Sequence, residues 1–143
     1  MMLMLCLPTA AYANGTKSIY DNGGTKLGFA EMWTNNVSTG RVLYSQTTST
    51  LTQNYVATQS LIKGMQGWST VFRQTEIMND TNAKLSPVAA LSIPDTITPI
   101  DARVVGGINT YVVGLCKGYN LGSGAGTCSD GTSCDFATDF YNN

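Results

Sequence analysis

Apolar positions between Ser49 and Met78 recur at intervals of three and four: Leu51, Tyr55, Thr58, Ile62, Met65 and Phe72 form one stripe, widened by Leu61, Trp68 and Val71. That spacing predicts a long amphipathic helix over 49–78. The hydroxyl of Ser49 or Thr50 would cap its start, and the run Asn79-Asp80-Thr81-Asn82, with Pro87 beyond, would stop it. Gly64 and Gly67 lie inside the stripe, each costing about 1 kcal/mol relative to Ala in a helix, which points to close packing against another backbone or to a bend.

Elsewhere the pattern is weaker. From Asn14 to about Gly40 the turn formers Asn14-Gly15, Asn22-Gly23-Gly24 and Asn35-Asn36 interrupt each apolar run, so irregular chain with short strands or turns is expected. Pro87, Pro94 and Pro99 forbid a long helix between Leu85 and Thr98, and a linker crossing the core through Val88, Leu91 and Ile93 is expected there. Residues 101–116 admit two readings. Asp101 can cap a helix with Val104, Ile108, Val112 and Leu115 on one stripe, or the segment can form a hairpin about Gly106-Gly107. The balance leans to helix. Residues 118–143 are rich in Gly and Ser and read as loop or disordered. The fold class expected is therefore mainly α, or α+β, with an irregular C-terminal tail bearing Gly and Cys.

The opening thirteen residues change the picture. Met1 to Leu7 is apolar, Pro8 breaks it, and Ala11-Tyr12-Ala13 fits a peptidase site, so residues 1–13 read as a signal peptide and 14–143 as one small domain. The first Lys or Arg is Lys17, beyond the cut, so the leader is expected to be truncated. An exported protein, periplasmic or extracellular, follows. Cys116, Cys128 and Cys134 remain after cleavage and are the disulfide candidates, one pair with one thiol left over.

Charged residues make up 12% of the chain and the formal net charge is −1, so counterion release cannot drive nucleic-acid binding and no basic face calls for an anionic membrane. No stretch approaches the roughly 20 apolar residues of a membrane span, so no stable span is expected after leader cleavage. The partners expected are proteins of the cell envelope.

Candidate chemistry is sparse. The chain has no His, which removes the usual general base, the His-activated nucleophiles and the commonest zinc ligand. Ser60-Leu61-Ile62-Lys63 matches S-x-x-K, and on a helix Ser60 and Lys63 would be neighbours, making them the weak catalytic candidates. Gly122-Ser123-Gly124-Ala125-Gly126 lacks the remainder of a phosphate loop. Asp130, Asp135 and Asp139 are weak calcium candidates without EF-hand spacing; no metal site and no cofactor are expected. Tyr55, Trp68 and Phe72 are the candidate binding residues, since aromatics dominate interface hot spots, against the plainer reading that they are core.

The leader and the Gln/Thr-rich run Leu51-Thr52-Gln53-Asn54-Tyr55-Val56-Ala57-Thr58-Gln59 resemble, in layout only, the small exported subunits of bacterial type IV secretion or conjugation systems. That resemblance implies a non-enzymatic subunit that assembles or stabilises an envelope-spanning channel or pilus through its helix face. The alternatives are a secreted serine-lysine acyl-transfer enzyme and a fragment of a larger exported protein.

Overall fold

A computed structural model describes residues 15–118, and among these every regular element is a β-strand. The order is β1 (Gly15–Tyr20), β2 (Lys26–Val37), β3 (Gly40–Gln53), β4 (Val56–Gln66), β5 (Ser69–Gln74), β6 (Met78–Asp80), β7 (Ala83–Leu85), β8 (Ala89–Pro94), β9 (Thr98–Ile108) and β10 (Tyr111–Gly118). Two antiparallel sheets result. Sheet A runs β1-β2-β3, with β7 and β8 both pairing β3; sheet B runs β10-β9-β4, with β5 and β6 both pairing β4.

The sheets face each other over a core of Met32, Leu43, Leu91 and Ile93 from sheet A against Ile62, Ala102, Val104 and Leu115 from sheet B, with Ile97 from the β8–β9 turn. At one end Ile19, Val56 and Ile108 form a second cluster with Leu27, Tyr111 and Val113 against it. Alternation sets this up. Along β2 the buried positions are Gly28, Ala30, Met32 and Thr34, and along β3, after Gly40 at its start, they are Leu43, Ser45, Thr47 and Ser49, a period of two that places one face inward. Gly106 permits a close approach of the sheets, because a Cβ there would lie 2.5 Å from Ala30 Cβ and 2.6 Å from Thr47 Oγ1.

The expected mainly α fold is thus corrected: there is no helix over 49–78, which holds the end of β3, β4, β5 and the start of β6. The cause of the misreading is visible in β4. Val56 through Leu61 are buried without interruption, and so is Ile62, because both faces of this central strand are covered. A strand buried on both sides loses its alternation, and its apolar residues then satisfy three-and-four spacing by accident. Members of the supposed stripe point to water instead: Leu51 is 66% exposed.

Gly64 and Gly67 are strand and turn devices. A Cβ on Gly64 would meet Thr98 O at 2.7 Å, while Gly67 takes φ +63° in a two-residue turn between Gln66 and Ser69, which pair. Positive φ at the first of two turn residues is the type II′ requirement for Gly.

The second helix is corrected as well. Residues 101–116 are a hairpin, but its turn is Asn109-Thr110, with Asn109 at φ 55°, and Gly106-Gly107 lie in mid-strand. Residues 14–40, expected to be irregular, contain the long strand β2 and, from Gly15, β1; their Asn-Gly-Gly run is the turn between them. There Asp21 Oδ1 accepts from the amides of Gly23 and Thr25 at 2.9 Å each. The Pro-rich segment supplies β8, which buries Leu91 and Ile93 and leaves Val88 39% exposed.

Candidate binding surface

Because β4 is a strand, Ser60 and Lys63 lie an odd number of residues apart and project to opposite faces. The structure does not bring them together. Ser60 points between the sheets and is fully buried; its hydroxyl donates to Ala89 O at 2.8 Å and lies 2.8 Å from Ser45 Oγ. Thr58 Oγ1 donates to Ser45 Oγ at 2.7 Å. A hydroxyl has one proton. With that of Ser60 given to Ala89, Ser45 donates to Ser60, and the three side chains form a directed chain from Thr58 to the Ala89 carbonyl. Lys63 stands on the other face of β4, opposite Asp101 in register.

The three candidate binding aromatics are also divided. Tyr55 precedes β4 and Trp68 follows it, so the 11 residues of the strand hold them about 35 Å apart. Tyr55 belongs to the β3–β4 end, where its amide donates to Asn109 Oδ1 at 3.3 Å and its carbonyl accepts from the Asn109 amide at 2.8 Å. Trp68 occupies the apex of the β4–β5 hairpin and is 99% exposed, and Phe72, on β5 opposite Lys63, is 45% exposed. The core reading of these two residues fails: neither faces the sandwich interior. Met65, half-buried and paired with Thr70, lies on the same face as Phe72 near the hairpin end.

That same outer face of sheet B carries a feature the sequence analysis missed. Gln59, Leu61 and Lys63 of β4 pair in register with Val105, Arg103 and Asp101 of β9. All six therefore share the side turned away from sheet A, since Ala102, Val104 and Ile62 point into the core. Outer faces of sandwiches are ordinarily wet and polar. Here Leu61 and Asp101 are completely buried, Val105 is 2% exposed, Gln59 3% and Arg103 5%.

The Arg103 guanidinium donates through Nη2 to Asp101 Oδ2 at 3.1 Å, so two charges are held out of water together. Gln59 Nε2 donates to Thr75 O at 2.8 Å, while its Oε1, equally buried, accepts no hydrogen bond. The signal available in the sequence was Asp101-Ala102-Arg103, an i, i+2 charge pair that shares a face only on a strand. Read as a helix, Asp101 became an N-cap and the pairing vanished.

Among the cysteines, Cys116 lies in β10 with Arg103 as its backbone register partner, and Cys128 and Cys134 lie outside the described residues, as do Asp130, Asp135 and Asp139. Among the described residues no group of three or more His, Cys, Asp or Glu is placed to hold a metal ion. No family model, no curated protein and no solved structure matches this chain.

Proposed function

We propose that this chain is a non-catalytic, exported binding or assembly module, which engages a protein partner through the tip of its β4–β5 hairpin. The observation that carries the reading is Trp68, 99% exposed on a two-residue turn. An indole offers 150–250 Å² of contact area, and removing that area from water is worth about 4–6 kcal/mol before ordering costs are subtracted. The tight turn keeps those costs low, since the hairpin backbone is already ordered by its ladder to β4. Scattered exposed apolar residues are common and need no explanation; a tryptophan wholly in solvent at an apex, with Met65 and Phe72 on the adjoining face, is a placed anchor.

The helix on which the likeness to type IV secretion and conjugation subunits rested is replaced by strands, so the assembly reading now stands on the hairpin instead. An envelope partner remains part of the proposal because the leader and the low charge still favour it. Secreted acyl transfer by Ser60 and Lys63 gains no support, since the two side chains stand on opposite faces of β4.

The test is a photo-crosslinking residue at position 68 in the exporting cell, with Tyr20, also exposed, as the control position. A discrete adduct to one envelope protein from position 68 alone, together with loss of the complex in Trp68→Ser, is the expected result. A Trp68→Ser protein that enters the same complex at the parental level overturns the proposal.

A further inference from the structure

Strand β5 differs from the other edges of the two sheets. Its ladder to β4 starts at the two-residue turn, where Gln66 and Ser69 are partners, and runs without a register shift to Leu61 and Gln74. In such a hairpin the pair next to the turn exchanges both backbone hydrogen bonds, and the exchange recurs at every second pair. Ser69, Val71 and Arg73 therefore bond to β4, as does Thr75, whose amide donates to Ser60 O at 3.0 Å. The backbone amides and carbonyls of Thr70 and Gln74 are directed away from β4, toward the sheet edge.

An exposed strand edge pairs with another strand unless something prevents it. The remaining edges carry such protection. β1 has a bulge between Ile19 and Tyr20, and its Ile19 belongs to the cluster against which Tyr111 and Val113 of β10 pack, so the sheets close on each other at that side. β8 ends in Pro94, and β6 and β7 have three residues each. β5 has six residues with no Pro, no Gly and no bulge, and all of them except Val71 are exposed.

We infer that β5 pairs antiparallel with β5 of a second copy of this chain, about a twofold axis at Phe72, and joins the two B sheets into one. The strand is self-complementary. With Phe72 at the centre, Thr70 meets Gln74 of the second copy and Gln74 meets its Thr70, so the edge-directed groups of one copy face those of the other. Charge favours the same register, because Arg73, the one charged residue of β5, is set opposite Val71 rather than opposite another Arg73. The Phe72 side chain, 45% exposed, comes to lie beside its counterpart, a cross-strand aromatic contact. A formal net charge of −1 leaves little repulsion between copies.

The arrangement is closed, since each copy engages its β5 edge once. Six residues a side make a small contact, so the association is reversible and depends on concentration. Antiparallel pairing also sets the two hairpin tips at opposite ends of the joint, which gives the dimer two Trp68 anchors and the gain in apparent affinity that two linked contacts bring.

The test is sedimentation equilibrium of the purified full chain over a wide concentration range, joined to amide hydrogen exchange. The mass should rise from one copy toward two, and exchange at Thr70 and Gln74 should slow at least tenfold over the same range. Thr70→Pro and Gln74→Pro remove an edge-directed amide and spare the bonds to β4, so each should stay at the mass of one copy. If either variant fails to fold, the exchange of the parent protein decides alone. A mass of one copy at every concentration overturns the inference. So does a doubled mass with unchanged exchange at Thr70 and Gln74, which places the contact on another surface. Slow exchange of both amides already in the single copy overturns it too, by assigning the edge to another part of the chain. These readouts involve neither Trp68 nor an envelope partner, so either proposal can fail alone.

Discussion

Trp33 on β2 and Tyr44 on β3 are register partners whose rings stack 5.4 Å apart at an interplanar angle of 12°. They lie on the outer face of sheet A, where Trp33 and Tyr44 are half-buried by each other and by their neighbours. Cross-strand aromatic pairs contribute beyond their buried area. A double-mutant cycle with Trp33→Ala and Tyr44→Ala, read by urea unfolding, is expected to give a coupling energy of about 0.5–1.5 kcal/mol. Additive effects of the two changes would contradict the stacked geometry.

Ser60→Ala removes a donor from Ala89 O and an acceptor from Ser45 inside the sandwich. The expected loss is about 1–3 kcal/mol, because buried partners are left unsatisfied. Lys63→Ala, on the opposite and partly solvated face, is expected to change stability by less than Ser60→Ala does. Thermal unfolding of the two variants side by side checks the order. An acyl-enzyme probe should label neither variant nor the parent.

Gly106→Ala places a methyl 2.5 Å from Ala30 Cβ and 2.6 Å from Thr47 Oγ1. The sheets must part to admit it, and overpacking of this kind costs about 1–3 kcal/mol. An unchanged or raised midpoint for Gly106→Ala in chemical denaturation would show that the sheets do not meet closely there.

Asp101→Ala removes the carboxylate to which Arg103 Nη2 donates in a site only 5% exposed. Breaking a buried pair by removing one partner typically costs about 3–5 kcal/mol. Replacing both, as Asp101→Leu with Arg103→Met, should recover part of that loss, because neither charge of the pair then remains buried. Calorimetric midpoints for the single and double variants make the comparison.

How much of this was legible in the sequence depended on local chemistry. The Asn-Gly-Gly run at 22–24 is a turn in the structure, with Gly24 at φ +86°, since Asn and Gly tolerate positive φ wherever they stand, whereas 79–82, expected to stop a helix, holds the end of β6 at Asn79 and Asp80 and a bend at Thr81 and Asn82. The hairpin at 101–116 was one of two readings, and its turn was misplaced because Gly106 is small for the sake of the opposing sheet, which no local signal reveals. The long helix was the main error. Strand β4 is buried on both sides, and the run from Val56 to Ile62 gives no hint in the sequence that neither of its faces meets solvent.

The candidate surface was half legible. Trp68 was singled out for its chemistry, but its grouping with Tyr55 assumed one helix face, and a strand puts them at opposite ends. The Asp101–Arg103 pair was invisible for the same reason: its two-residue spacing is meaningful only at a period of two.

The hydroxyls of Thr58, Ser45 and Ser60 bear on how the two sheets mesh. An interior of Leu and Val alone would tolerate one sheet sliding past the other by a two-residue step, trading one greasy neighbour for another. With Ser60 committed to Ala89 and Ser45 to Ser60, such a slip would set bare oxygens against methyl groups. The polar stripe therefore acts as a key in a lock, giving up some driving force for collapse so that only a single alignment survives.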